Sequence, residues 1–275
     1  MSTVATITFA NGIPTPQLGF GTFQTEPART AEAVSVALET GYRSIDTAAV
    51  YANESGVGKA IAESGISRGE LFVTTKLWNS EQGFDSTLAA FDISLTKLGL
   101  DYIDLYLIHW PIASKDLYLD TWRALESIAE QGLVRSIGVS NFQPAHLRRL
   151  LAESSTPPVL NQIELHPNLP QDQLREFHAQ HGILTQAWSP LARGGALLTN
   201  ETIQRLAAKH SKTPAQVVLR WHIQLGNVVI PKSVTPSRIR ENFAIFDFSL
   251  DSNDLTAIAA LSTGERMGPD PDTFG

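Results

Sequence analysis

Ile103-Asp-Leu-Tyr-Leu-Ile-His109 is apolar at nearly every position, stops on a histidine and runs straight into Trp110-Pro111. A strand with one wet face alternates, whereas a near-continuous run is buried on both faces, as parallel strands covered by helices are. Just before it, Phe84, Leu88, Phe91, Leu95 and Leu98 step by four and three residues and so line one face of a helix, which Gly99 is placed to end. Helix, turn and buried strand make the unit from which the rest of the chain can be read.

Outward from this unit, runs of the same kind recur at Arg43-Ser-Ile-Asp46, Leu71-Phe-Val-Thr-Thr-Lys76, Arg135-Ser-Ile-Gly-Val139, Val159-Leu-Asn-Gln-Ile163, Ile183-Leu-Thr-Gln-Ala-Trp188 and Val228-Val-Ile230. A further strand around Leu18-Gly-Phe20 brings the total to eight βα units. Gly41, Gly132 and Gly182 each follow a helical stretch, where a positive φ is wanted. No linker or low-complexity segment interrupts the pattern, so residues 1–275 read as one α/β domain. A closed (β/α)8 TIM barrel fits better than a doubly wound sheet. Gly19-Phe-Gly21 and Gly56-Val-Gly58 each lack the third glycine of a dinucleotide fingerprint. Gly58-Lys59 fails as a phosphate loop, with Ala60 where Ser or Thr would hold magnesium. Ile7-Thr-Phe-Ala-Asn-Gly-Ile13 carries an Asn-Gly turn and predicts an N-terminal β-hairpin closing the barrel bottom. Trp122, near Leu119 and Leu125 on a helical face, is expected in the core.

The 275 residues, 43% of them hydrophobic, suffice for a core of this size. A net charge of -7 argues against nucleic acid, whose binders cluster Lys and Arg on one face, so any anion site must be local. With no cysteine, disulfides, thiolate metal sites and cysteine nucleophiles are excluded. Met1–Asn11 lacks the basic and apolar regions of a leader, and nowhere do eighteen apolar residues run together, so a cytoplasmic protein with no membrane partner is expected. Monomer is the default, since no interface pattern stands out. No metal is implied: His109, His166, His178, His181, His210 and His222 show no ligand-pair spacing beside a strand-end carboxylate, and His178 and His181 read as a solvated helix face.

In a βα barrel, chemistry sits where strands end. The apolar runs stop at Asp46, Lys76, His109, Ser140-Asn141, Gln162, Trp188 and Lys232, positions that a closed barrel brings to one mouth. Singly, each has a bland reading: Asp46 and Lys76 as a rim ion pair, His109 as a core histidine, Tyr51 as cover for an apolar edge. Together they suit proton donation to a carbonyl oxygen as hydride reaches its carbon. A phenol with a pKa of about 10 donates reluctantly, and a nearby Lys⁺ is expected to lower that value. Asp46 would keep Lys76 charged and in place, and His109 would orient the substrate oxygen. Nothing in the set supplies hydride, so a cofactor must.

The residues also match a known family. Gly19-Phe-Gly-Thr-Phe23, Gly41-Tyr-Arg-Ser-Ile-Asp-Thr-Ala48 with Tyr51, Thr75-Lys-Leu-Trp78, Asp104-Leu-Tyr-Leu-Ile-His-Trp-Pro111, Ile137-Gly-Val-Ser-Asn-Phe142, Asn161-Gln-Ile-Glu164 and Ile230-Pro-Lys-Ser233 fall in the order seen in aldo-keto reductases, which the chain resembles over nearly its whole length. The resemblance implies Tyr51 as general acid, Asp46 and Lys76 as its tuning partners and His109 as carbonyl orienter. It implies NADPH/NADP+ as cofactor, with Ser140, Asn141 and Gln162 on the nicotinamide carboxamide and Gly21, Thr22, Asp46, Ser189 and Leu191 as further cofactor contacts. Trp188 would stack on the ring, where most relatives carry tyrosine, as in the bacterial 2,5-diketo-D-gluconate reductase-like branch.

Lys232, Ser233 and Arg238 flank the helix start Thr235-Pro236-Ser237, which makes an anion site that reads as the adenosine 2′-phosphate clamp, with Glu241 and Asn242 toward the adenine. Phe23, Trp78 and Trp110 would wall a small-molecule carbonyl site. The short tail from Thr263 to Gly275 is expected to leave that site open, suiting methylglyoxal or keto-sugar acids over steroids. Two other readings remain at this stage: a cofactor-binding regulatory module with negligible turnover, and a Schiff-base lyase built on Lys76.

Overall fold

The apolar runs pair side by side in a parallel sheet whose two ends meet. The computed structural model describes residues 4–274, so Met1–Thr3 of the Met1–Asn11 stretch and Gly275 of the tail lie outside the described residues. An antiparallel hairpin of β1 (Thr6–Thr8) and β2 (Pro14–Pro16) comes first. The barrel strands are β3 (Phe20–Gly21), β4 (Ser44–Asp46), β5 (Phe72–Leu77), β6 (Ile103–Ile108), β7 (Val134–Ser140), β8 (Leu160–Glu164), β9 (Leu184–Trp188) and β10 (Val228–Val229). They lie in sequential order, each parallel to the next. A bridge between Leu18 and Val229 closes the ring, reinforced by Gly19 N–H donating to the Val229 carbonyl at 2.8 Å and Val229 N–H to that of Gln17 at 2.9 Å.

The helices α1 (Pro27–Thr40), α2 (Glu54–Glu63), α3 (Phe84–Leu98), α4 (Tyr118–Glu130), α5 (Pro144–Glu153), α6 (Asp172–Gln180), α7 (Gly195–Thr199), α8 (Glu201–His210), α9 (Pro214–Gln224), α10 (Pro236–Phe243) and α11 (Ser252–Ala259) follow the strands. Gly41, Gly99, Gly132 and Gly182 all have positive φ where a helix hands over to the next strand. Phe91 and Leu98 of α3 are buried, but Phe84 is 42% exposed: it opens the helix, beyond the part that the neighbouring helices cover. Trp122 is fully buried and donates its indole N–H to the Thr156 carbonyl. Contrary to the solvated face expected for it, His178 is fully buried, bonded to Asn161 and Thr185. It lies four residues after buried Leu174 and so on the same stripe of α6.

The interior is layered by the two-residue period of a strand. At the bottom, Phe9 of the hairpin plugs the barrel against Phe72, Leu105, Leu107, Val159 and Leu160, where the hairpin was expected to close it. Continuing each strand upward by twos gives Lys76 above Phe72, His109 above Leu107, and Gln162 and Glu164 above Leu160. An apolar floor therefore carries a polar upper layer, which opens at the C-terminal ends of the strands.

Candidate active site

Strand β5 delivers Lys76 into the barrel with no side-chain exposure, and β4 delivers Asp46 beside it. A bare ammonium would not tolerate this burial, and the structure gives each of its three N–H donors an oxygen. Lys76 Nζ lies 2.6 Å from Asp46 Oδ1, 2.8 Å from the Thr47 carbonyl oxygen and 3.5 Å from Tyr51 Oη. The second oxygen of Asp46 accepts from Gln162 Nε2 at 2.7 Å, and the same nitrogen donates to Gln186 Oε1 at 2.7 Å. Gln186 was not singled out in the sequence because it sits inside an apolar run. Burial drives the Lys76 amine down and the Asp46 carboxyl up, and their mutual attraction opposes both shifts.

Tyr51 closes a single turn of 3₁₀ helix, Ala49–Tyr51, directly after β4. Its ring lies 5.1 Å from Phe23 and 5.7 Å from His109, and the His109 ring lies 5.2 Å from Trp78. The rings thus run in a chain from Phe23 through Tyr51 and His109 to Trp78. The expected lowering of the phenol pKa does not occur. Burial, and secondly the charge of Asp46, push Tyr51 well above its ordinary value. The phenol is therefore protonated at neutral pH. His109 is held well below its ordinary value by burial and then by Lys76, so it is a neutral imidazole.

Around the other side of the mouth, Ser140 and Asn141 at the end of β7 meet Gln162 and Trp188. Ser140 Oγ donates to the Gln162 carbonyl at 2.8 Å. Asn141, at φ 63°, gives Nδ2 to the His109 carbonyl at 2.9 Å and takes the Trp188 indole N–H on Oδ1 at 2.8 Å. Asn141 thereby ties the His109 backbone to the indole. After β9, Ser189, Ala192 and Arg193 adopt left-handed φ of 47°, 47° and 57°, followed by Gly194 and Gly195. Such turns cost a non-glycine residue about 1 kcal/mol or more and gather at ligand sites. His222 anchors the loop through the Pro190 carbonyl beside Leu191.

The cation cluster lies where the ring closes. Gly21 N–H donates to the Pro231 carbonyl at 3.1 Å, and Thr22 Oγ1 to that of Asp46 at 3.0 Å. A Cβ at Gly21 would sit 2.9 Å from the Ile230 oxygen, so only glycine fits this approach. Lys232 Nζ donates to the Gln24 carbonyl at 3.1 Å, and Ser233 Oγ accepts from Thr235 N–H. Exposed Arg238 stands in the first turn of α10, which begins at Pro236 as predicted. Arg29, which sequence reasoning missed, reaches the Val234 carbonyl and adds a third positive charge near Lys232. Glu241 is held by Thr213 Oγ1 at 2.7 Å, and Asn242 is buried.

Trp110 is buried, and the ring of Phe274 lies 4.5 Å from it. Short as it is, the tail thus reaches the mouth at Trp110. Among the described residues no group of three or more His, Cys, Asp or Glu is placed to hold a metal ion, and no helix is long and apolar enough to cross a membrane.

A parallel barrel with buried Lys and Asp beside a phenol at its C-terminal mouth is the arrangement of a known family. Residues 17–263 match the Aldo/keto reductase family, and the chain belongs to it. Its relatives include an aldo-keto reductase of Mycolicibacterium smegmatis, 56% identical over 98% of this chain and 97% of that one. The methylglyoxal reductase DkgA of Escherichia coli is 51% identical over the full length of both. Among solved structures, an aldo/keto reductase from Brucella melitensis superposes with a TM-score of 0.93 at 58% identity, over 95% of this chain and 99% of that one. A variant of Gox0644 in complex with NADPH gives 0.96 at 48% identity, over the whole of both chains.

Proposed function

We propose that this protein reduces aldehydes and ketones to alcohols at the expense of NADPH, with Tyr51 as general acid. The observation that carries the reading is the Asp46–Lys76–Tyr51 line, 2.6 Å and 3.5 Å at its two steps, buried beneath an aromatic rim. The residues present fit the cofactor. Lys232 and Arg238 are free of carboxylate partners among the described residues and flank a helix N-terminus, which suits a phosphate. The Trp188 indole, tethered by Asn141, would present a fixed face to the nicotinamide, and Ser140, Asn141 and Gln162, linked to it and to one another by hydrogen bonds, would hold its carboxamide. Gly21, Thr22, Ser189, Leu191 and Ser233 would contribute further cofactor contacts, with Glu241 and Asn242 toward the adenine. Bound reduced nicotinamide supplies the hydride.

The protein's own share is to hold the carbonyl and move a proton. Neutral His109 directs the carbonyl oxygen toward Tyr51 Oη. The phenol, protonated at rest, gives its proton as negative charge gathers on that oxygen, and the phenolate left behind faces the third N–H of Lys76. Preorganised donors in a dry site make this stabilisation large. The identity with relatives named methylglyoxal reductase favours small dicarbonyls such as methylglyoxal, and the resemblance noted in the sequence adds keto-sugar acids such as 2,5-diketo-D-gluconate. The test is NADPH oxidation with both substrates by the native protein and by Tyr51→Phe. Turnover falling about a hundredfold or more in the variant, with NADPH still bound, is the expected result. Tight NADPH binding by the native protein without turnover on a wide carbonyl panel would refute the reading.

A further inference from the structure

Glu164 closes β8 at the mouth with a fully buried carboxylate, and the proton-transfer scheme makes no use of it. Its oxygens take three N–H donors: His166 Nε2 at 3.0 Å, the Met267 amide at 2.5 Å and the Gly268 amide at 3.0 Å. Two of the three belong to the C-terminal tail, more than a hundred residues along the chain. The tail reaches this point from the Asn168 carbonyl, which accepts from the Thr263 and Gly264 amides. At Gly268 it lies so close to the indole that a Cβ there would stand 2.5 Å from Trp188 Cη2. Beyond it, the Thr273 and Phe274 amides donate to the Asp270 carbonyl, a turn that sets Phe274 on Trp110. One carboxylate thus fixes a segment touching both Trp188, on the cofactor side, and Trp110, on the substrate side.

We infer that Glu164 is a positioning residue that sets substrate selectivity: it ties the tail across the mouth so that Gly268 backs the Trp188 indole and Phe274 narrows the entrance at Trp110. The inference rests on the reading of Trp188 as the nicotinamide-stacking surface. A charged acceptor with several N–H donors is a strong anchor. Glutamine at 164 would turn an N–H₂ toward one of the tail amides, donor against donor, with almost no change in size.

The test uses the full-length protein. In Glu164→Gln, hydrogen exchange at the Met267 and Gly268 amides should quicken about tenfold. The ratio of kcat/KM for a bulky aromatic aldehyde to that for methylglyoxal should rise by about tenfold. Phe274→Ala should raise the same ratio, and the double variant should show less than the product of the two effects, because both act through one segment. Gly268→Ala should weaken NADPH binding about tenfold, read by calorimetry, by displacing the indole. An unchanged substrate ratio in Glu164→Gln despite quickened exchange would overturn the selectivity role. Unchanged NADPH affinity in Gly268→Ala would overturn the coupling to Trp188, and keeps the inference testable if position 164 tolerates no change. Failure of the native protein to bind NADPH would instead strike the functional reading, leaving the tail anchor to be judged by exchange alone.

Discussion

Lys76 places a charge where water cannot reach, and its environment answers with three oxygens. Removing the Asp46 charge by Asp46→Asn leaves that ammonium uncompensated. The expected loss is about 3–5 kcal/mol of unfolding free energy, measured in urea, alongside a fall in turnover. Arg238 is the opposite kind of residue, exposed at the start of α10 and free of a carboxylate partner among the described residues. Arg238→Leu should weaken NADPH far more than NADH, since only the former carries the 2′-phosphate that its charge would meet. Equal losses for the two, by calorimetry, would remove Arg238 from that role. Tyr51 shows how a residue can be legible in identity and not in electrostatics. Its place after Asp46 was evident from the sequence, but the net field of Lys76, Asp46 and burial depends on distances that no spacing encodes.

At the scale of elements, α2 and α3 meet through Gly58, where a Cβ would stand 2.2 Å from the Leu98 carbonyl oxygen. The obstacle is backbone at the end of a helix, so it cannot rotate away. Gly58→Ala should cost about 1–3 kcal/mol, visible as a lower urea midpoint with kcat unchanged in the folded fraction. Elements of this fold were largely readable. The apolar runs foretold the strands to within a residue or two, because strands covered on both faces leave few polar positions. The polar stops were readable as a site because a closed ring forces strand ends together. Gln186 escaped because its polar group is buried with Gln162, in a stretch that reads as core. The tail escaped for another reason: it is held by main-chain amides on Glu164 and by a glycine against Trp188, and neither contact has a periodicity. The residue Glu164 was in plain view within Asn161-Gln-Ile-Glu164, but what it holds lies elsewhere in the chain.

For the whole molecule, buried histidines set the response to acid. Burial pushes His178 and His222 down to about 3 from 6.5, and His109 shifts in the same direction. Between those values the unfolded chain binds more protons than the folded one, so stability is full above the unfolded pKa and falls as pH falls toward the folded one. Moving from pH 7 to pH 5 should cost about 2 kcal/mol for each of His178 and His222, seen as a drop in the urea midpoint. A flat midpoint over that range would show the two to be charged or exposed. The ring that encloses these groups is joined by its two shortest strands, β3 and β10, with Gln17 Nε2 gripping the Ile223 and Asn227 carbonyls from the far end of the chain. Contacts so distant in sequence form late, since the intervening chain must be gathered first. Gly21 and Lys232 stand on opposite lips of that clasp. On the cofactor contacts proposed for these two residues, cofactor affinity reports on whether the circle has been completed, and a refolding chain should regain its helices and strands before it can hold a nucleotide at all.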